Sequence, residues 1–301
     1  MSRRIGIAAV QMAAIPHNVP PTLDKIDSYV TQISTVWPWV DMIIFPELAM
    51  DAYSAFVPGW KLPEGEPIPG LITDRMCKLA ALTHKWLIPG SMSERDGDDR
   101  YNTAIVISPD GEIVARYRKI YPARPHETCK AGDTCTVFDV PNVGRFGICI
   151  CYDMWFPEIA RTLSWMGAEV ILQPSHTQNS LRHMEAIMIQ ANAICNQCYY
   201  VGVNGTGPVG GGRSMIVDPN GHVLQQADQH ECILSEILDL DLVTTTREHG
   251  TLGLGLIWKS LRDDPATFPP YTLGFKASPM VQGLGPMEYR TLLPPSNKEN
   301  G

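Results

Sequence analysis

No apolar run in this chain approaches the ~20 residues a membrane-spanning helix requires; Ile5 to Ala9 and Met12 to Ile15 are among the longest, and both are far shorter. No basic run exceeds Arg3-Arg4, and 24 Lys and Arg stand against 32 Asp and Glu, so the electrostatic footprint of a nucleic-acid binder is missing. Linkers and low-complexity segments are absent as well. Eight cysteines in 301 residues are too sparse for a disulfide scaffold. Cys195 and Cys198 form a lone C-x-x-C, without the second pair of a zinc site or the early strand-to-helix turn of a redox site, and read as core packing. Met-Ser-Arg-Arg leads directly into a strand rather than a secretory apolar segment. The expectation is a cytoplasmic protein with no nucleic-acid or membrane partner.

What the chain does have is the means to bury a large core: 44% hydrophobic residues, 19% charged ones and a formal charge of −8. Short apolar runs alternate with helical stretches, the pattern of an α/β layer protein. The readings are strands at 4–11, 41–45, 86–92, 103–108, 112–118, 145–150, 168–173, 199–203, 214–217, 223–226 and 231–239. Helices are read at 21–35, 69–84, 156–166 and 180–195, with a shorter one near 240–246. Pro109-Asp110-Gly111 and Asp218-Pro219-Asn220-Gly221 mark two hairpins. Residues 1–262 read as one domain. From Asp263 to Gly301 the chain turns Pro- and Gly-rich and reads as an extended arm packing on the body or a partner subunit, fraying at 296–300.

Three polar residues stand just past apolar runs: Glu47 after Met42-Ile43-Ile44-Phe45, Lys119 after Ile113 to Tyr117, and Cys151 after Phe146 to Ile150. Ligands bind at the carboxyl ends of strands in an α/β sheet, so distant segments can deliver these side chains to one place. Cys151 also precedes a turn and the helix start Phe156-Pro157-Glu158. A thiol there would face a helix dipole that lowers its pKa, beside backbone N–H groups able to hold an oxyanion. Cys149 lies within the strand and is assigned to packing. A Cys nucleophile needs a base, and with eight scattered histidines in no Cys/His protease context, a Glu with a Lys is the economical choice.

The segments Phe45-Pro46-Glu47, Tyr117-Arg118-Lys119-Ile120-Tyr121-Pro122 and Gly147 through Glu158 resemble, in order, the three motifs of the nitrilase (carbon-nitrogen hydrolase) superfamily. The resemblance covers about Arg4 to Asp241 and includes Tyr101-Asn102-Thr103-Ala104, Gln190 to Ala193, Val203-Asn204 and Gly211 to Pro219. It implies a four-layer αββα sandwich and a catalytic triad falling on Glu47, Lys119 and Cys151, with the amidases' second Glu at Glu127. Neither a cofactor nor a metal is implied. The implied chemistry is thiol amide hydrolysis: Glu47 moves the proton, while Lys119 and the backbone N–H of Tyr152 stabilise the tetrahedral oxyanion. Glu127 would position the substrate NH2 or the hydrolytic water, unless it merely pairs with Arg124 or Lys130.

Tyr152-Asp153 departs from the Trp-Glu that usually follows the Cys of true nitrilases and resembles amidases. Branches acting on carbamoyl amino acids or half-amides often carry Arg close to the nucleophile, where this chain has Met154 and Trp155. An apolar wall of Tyr152, Met154 and Trp155, with His176 from a loop, therefore favours a small neutral amide. Arg124, His126, His176 and Arg182 keep carbamoyl substrates open. The alternatives are a nitrilase, an N-carbamoyl amidohydrolase, or an idle member acting as a binding or regulatory protein. Helix 180–195 carries Leu181, Met184, Ile187, Met188, Ala191 and Ile194, a stripe wide enough for a core and a partner. A homodimer or larger assembly is expected.

Overall fold

The computed structural model describes residues 2–52, 63–207, 210–274 and 277–284, and the chain divides into two units, Met1–Ile257 and Trp258–Gly301. Along the first unit run β1 (Arg4–Gln11), α1 (Val19–Val36), β2 (Met42–Ile44), α2 (Leu71–Thr83), β3 (Trp86–Ile88), β4 (Ser91–Asp96), β5 (Asp99–Ile107) and β6 (Ile113–Arg118). There follow β7 (Thr136–Val140), β8 (Gly144–Ile148), α3 (Pro157–Trp165), β9 (Val170–Ser175), α4 (Asn179–Asn196), β10 (Tyr199–Asn204), β11 (Met215–Val217), β12 (Val223–Gln226), β13 (Cys232–Asp239) and α5 (Leu240–His249).

Among the described residues the strands form two sheets. The first has the order β13-β1-β2-β3-β5-β4 with β6 also on β5; the second has the order β12-β11-β10-β9-β8-β7. The period-2 alternation of β1 shows how they stack. Ile5, Ile7 and Ala9 join a core with Phe146, Ile148, Val170 and Leu172 of the second sheet. Ala8 and Val10 face the other way, onto Leu23, Ile26, Val30 and Ile33 of α1 and Met76, Leu79 and Ala80 of α2. On the outer side of the second sheet, Leu163 of α3 and Ile189 and Ala193 of α4 complete the first core. The layers are therefore helix, sheet, sheet, helix. Because β1 is buried on both faces it reads as a continuous apolar run.

Both expected hairpins are present, joining β5 to β6 and β11 to β12. The run read as one strand at 86–92 is broken. β3 ends at Ile88, and Gly90 takes φ +87° where a Cβ would lie 1.9 Å from the Pro46 carbonyl oxygen. That close approach, open only to glycine, seats the segment that carries Glu47. β7 escapes the sequence reading, since Thr136–Val140 is short and its burial alternates.

The stripe on α4 also needs correction. Its inner face runs through Arg182, Glu185, Ile189, Asn192, Ala193 and Asn196, whereas Leu181, Ile187 and Ile194 point to solvent. Four polar residues on the buried side displace the apolar pattern by a residue. Likewise Cys198 is buried but Cys195, near the end of α4, is exposed.

In the second unit the described residues include α6 (Ile257–Asp263, beginning at the boundary), α7 (Pro269–Thr272) and α8 (Pro279–Gln282). Helical turns thus interrupt the segment read as extended, and the expected fray at 296–300 lies outside the described residues. Among those residues, no helix is long and apolar enough to cross a membrane.

Candidate active site

Glu47 follows β2, Asn102 lies within β5, Lys119 follows β6 and Glu127 sits on the next loop; the first sheet brings all four together. Lys119 Nζ is 2.7 Å from Glu47 Oε1 and 2.6 Å from Glu127 Oε2. Asn102 Nδ2 donates to Glu47 Oε1 (2.9 Å) and to Glu127 Oε1 (2.8 Å), so one amide and one ammonium bridge both carboxylates. Ala123 N adds a third donor to Glu127, at 2.5 Å. All four side chains are buried. The loop holding Glu127 is itself tied down by Arg124, whose guanidinium donates to the Glu127 and Cys129 carbonyls at 2.7 and 2.6 Å. Lys130 pairs instead with Asp99 at 2.6 Å. The competing surface-pair reading of Glu127 fails on these contacts.

The second sheet supplies Cys151. It begins a 3₁₀ turn, Cys151–Trp155, between β8 and α3, and holds φ +48° while its carbonyl accepts from Gln173 Nε2 at 2.9 Å. Asp153 braces the turn: its carboxylate accepts from Ile150 N (2.9 Å), Tyr121 N (2.9 Å) and Tyr117 Oη (2.6 Å). Residues 175–177, leaving β9, stitch the sheets together. Glu47 N donates to the Ser175 carbonyl at 3.3 Å, and His176 N donates to Glu47 Oε2 at 2.9 Å.

Burial sets the charges. It pushes the Cys151 thiol up to about 12, helped by the Glu47 carboxylate and opposed by Lys119. This corrects the expectation of a dipole-lowered thiol: the helix starts where expected, but burial and the Glu47 carboxylate dominate. Burial also raises the Glu47 carboxyl, against the pull of Lys119 and with the repulsion of Glu127. Burial works against the Lys119 charge too, but Glu127 and Glu47 outweigh it and hold the ammonium well above its usual range. Glu127 is lowered, its burial overcome by Lys119. A protonated thiol beside a carboxylate and a permanent cation can perform proton transfer, nucleophilic attack and oxyanion stabilisation without leaving the cluster.

The expected substrate residues divide. Met154 is buried, Tyr152 is 37% exposed and Trp155 is partly buried. Tyr152 and Trp155 have ring centroids 6.0 Å apart, and Tyr152 meets Phe156 edge-on at 5.3 Å. His176 contributes its main chain to Glu47. Its ring lies against Gly205, Nε2 has no partner among the described residues, and burial lowers it to about 4, so it is neutral. Arg182 lies on the inner face of α4, bonded to Glu185 at 2.5 Å and to the Arg213 carbonyl at 2.8 Å. Cys149 is buried with Sγ 3.5 Å from Tyr200 Oη. Asn102 stands out in the sequence only as part of a matching segment; its bridging amide becomes visible once β5 lies beside β6.

The sequence profile of the carbon-nitrogen hydrolase family matches residues 6–248. The omega-amidase of Xenopus tropicalis is 32% identical over 200 residues, 61% of this chain and 72% of that protein. The formamidase of Bacillus thuringiensis is 29% identical over 266 residues, 83% and 79% of the two chains. The crystal structure of a Helicobacter pylori carbon-nitrogen hydrolase superposes with a TM-score of 0.77 at 24% identity, covering 90% of this chain and 99% of that one. With the profile spanning most of its length and both sheets carrying the matched motifs, the chain belongs to the carbon-nitrogen hydrolase family.

Proposed function

We propose that the protein is a thiol amidohydrolase that converts a small neutral amide, aliphatic or aryl, to a carboxylic acid and ammonia through a thioester on Cys151. The observation that carries this reading is buried Lys119 held by Glu47 and Glu127, with the Cys151 thiol hydrogen-bonded to Glu47. Relatives named as an omega-amidase and a formamidase add weight.

In the first half-reaction Glu47 takes the thiol proton and Cys151 Sγ bonds to the amide carbon, placing the negative charge on the carbonyl oxygen. Lys119 and the N–H of Tyr152 stabilise that oxygen. The C–N bond then breaks as Glu47 returns its proton to the nitrogen, and ammonia leaves. In the second half-reaction Glu47 deprotonates a water, whose oxygen bonds to the thioester carbon. The C–S bond breaks, the thiolate recovers the proton and the acid departs. Glu127 fixes Lys119 and positions the substrate NH2 or the hydrolytic water, while Asn102 holds the Glu47 and Glu127 carboxylates.

A neutral acyl group is favoured because the nearby guanidiniums are committed: Arg124 to two carbonyls and Arg182 to Glu185 and the Arg213 carbonyl. The apolar side chains of Tyr152, Met154 and Trp155 would line the acyl site. We assign the reaction to the cytoplasm, in keeping with eight free cysteines. We also propose a homodimer or larger assembly through the exposed Leu181, Ile187 and Ile194 of α4. Light scattering showing a monomer at micromolar concentration would remove the assembly claim.

Ammonia release across amides, nitriles, carbamoyl amino acids and hydrazides, with intact-mass detection of the acyl adduct, tests the reaction. Neutral amides should turn over with an adduct on Cys151, absent in Cys151→Ala and retained in Cys149→Ala. An adduct on Cys149 or Cys195, or preference for a nitrile or carbamoyl substrate, would overturn it.

A further inference from the structure

Cys151 Sγ lies 3.5 Å from Thr177 Oγ1, and Thr177 Oγ1 lies 3.0 Å from Ser175 Oγ. All three side chains are buried, and neither hydroxyl has a part in the steps above. Thr177 is held rigidly. Its N–H donates to Asn204 Oδ1 at 2.7 Å, and its carbonyl accepts from Asn204 Nδ2 at 3.0 Å and Gly211 N at 2.7 Å. Ser175 ends β9, and its carbonyl accepts from Glu47 N and Gly205 N. The backbone that carries the two hydroxyls is therefore fixed by bonds independent of the sulfur.

A buried thiolate needs donors, because burial without hydrogen bonds penalises the charged form. The charged groups acting on this sulfur are Glu47, Lys119 and Glu185, two of them anionic. Lys119, the cation, is already shared between two carboxylates. We propose that Ser175 and Thr177 form a hydroxyl relay that serves the Cys151 thiolate: Ser175 donates to Thr177 Oγ1, and Thr177 donates to Sγ. While the thiol is protonated, its S–H can point at Glu47 or at Thr177. Once Glu47 holds the proton, the Thr177 hydroxyl turns its own hydrogen onto the sulfur, and no proton leaves the relay. The same donor meets the thiolate when it departs from the thioester. Thr177 is thus a catalytic residue by contact with the reacting atom, and Ser175 positions it while also acting on the thiol itself. The inference rests on Cys151 being the nucleophile.

The test is the pH profile of Cys151 alkylation by iodoacetamide, with amide turnover, in the full-length parent, Thr177→Val, Thr177→Ser and Ser175→Ala. Losing a hydrogen bond to a charged group should slow Thr177→Val alkylation at neutral pH about ten- to hundredfold. The rate should fall by a similar factor at each pH from 6 to 9, and kcat should fall more than KM changes. Thr177→Ser, which keeps the donor, should recover to within about threefold of the parent. Ser175→Ala should move in the same direction by less, and it carries the test if Thr177→Val fails to fold. A parental alkylation profile in the folded valine variant, or in Ser175→Ala where that variant stands in, overturns the relay; so does a serine variant as impaired as the valine one. Failure of the nucleophile assignment shows elsewhere, as turnover that survives Cys151→Ala.

Discussion

The Tyr117 hydroxyl donates to Asp153 Oδ2 at 2.6 Å, tying the strand that leads into Lys119 to the turn that begins at Cys151. One residue belongs to the first sheet and the other follows a strand of the second, so the contact fixes the separation of Cys151 and Lys119. It is also buried, where a carboxylate that loses one of its donors is costly.

Tyr117→Phe keeps the ring and removes the donor. It should destabilise the fold by about 1.5–3 kcal/mol, the range for hydrogen bonds to charged groups, and lower kcat by loosening the Lys119–Cys151 spacing. Urea denaturation with steady-state kinetics measures both. Wild-type stability and rate would show the contact to be inert.

Glu127→Gln removes a negative charge that raises the Glu47 carboxyl. The attraction of Lys119 is then less opposed, so Glu47 should ionise at lower pH. The acid limb of kcat/KM, where protonation disables the base, should move down while the plateau falls about tenfold or more. An acid limb that moves up or stays put contradicts the arrangement.

Asp51 accepts from Ser93 N at 2.5 Å in a buried position, and burial pushes its carboxyl up to about 6. A carboxyl raised in the folded state carries no penalty below its unfolded value, about 4. It costs stability as pH rises through the folded value, by on the order of 3 kcal/mol. Asp51→Asn should therefore gain on the parent between pH 4 and 6, in unfolding free energies taken at unit pH steps. Asp153, also raised to about 6, leaves the variant some of the same slope. Parallel curves would refute the assignment.

Trp155→Arg should weaken hydrolysis of neutral amides and improve that of carboxylate-bearing amides or carbamoyl amino acids, because a bidentate cation replaces an apolar surface. A change of about tenfold in relative kcat/KM is expected. An unchanged ratio in a folded variant would place Trp155 outside the acyl site.

The fold is legible in the sequence where one signal dominates. Buried runs such as β1 and β10, and the Asp-Gly and Asn-Gly turns, fall where pattern and turn chemistry put them. Less visible are features that only tertiary neighbours create. Asn102, in mid-strand, has no chemical mark until Lys119 and Glu127 close over it, and the part His176 plays for Glu47 is a main-chain N–H, which no side-chain identity encodes. The inner face of α4 fails for the opposite reason. Arg182 and Glu185 satisfy each other there, so a binary reading of polar as exposed inverts them.

Glu47, Asn102, Lys119 and Glu127 hang from one sheet and Cys151, Ser175 and Thr177 from the other, so the proposed machinery is divided between the two layer pairs. Turnover then acts as a gauge of how the two halves are docked. A swollen state that keeps its helices and strands but lets the layers slide should retain its far-ultraviolet dichroism and fall silent as an enzyme. On gentle heating, lost activity should precede lost secondary structure, because a few tenths of an ångström matter to the chemistry and not to the ladders.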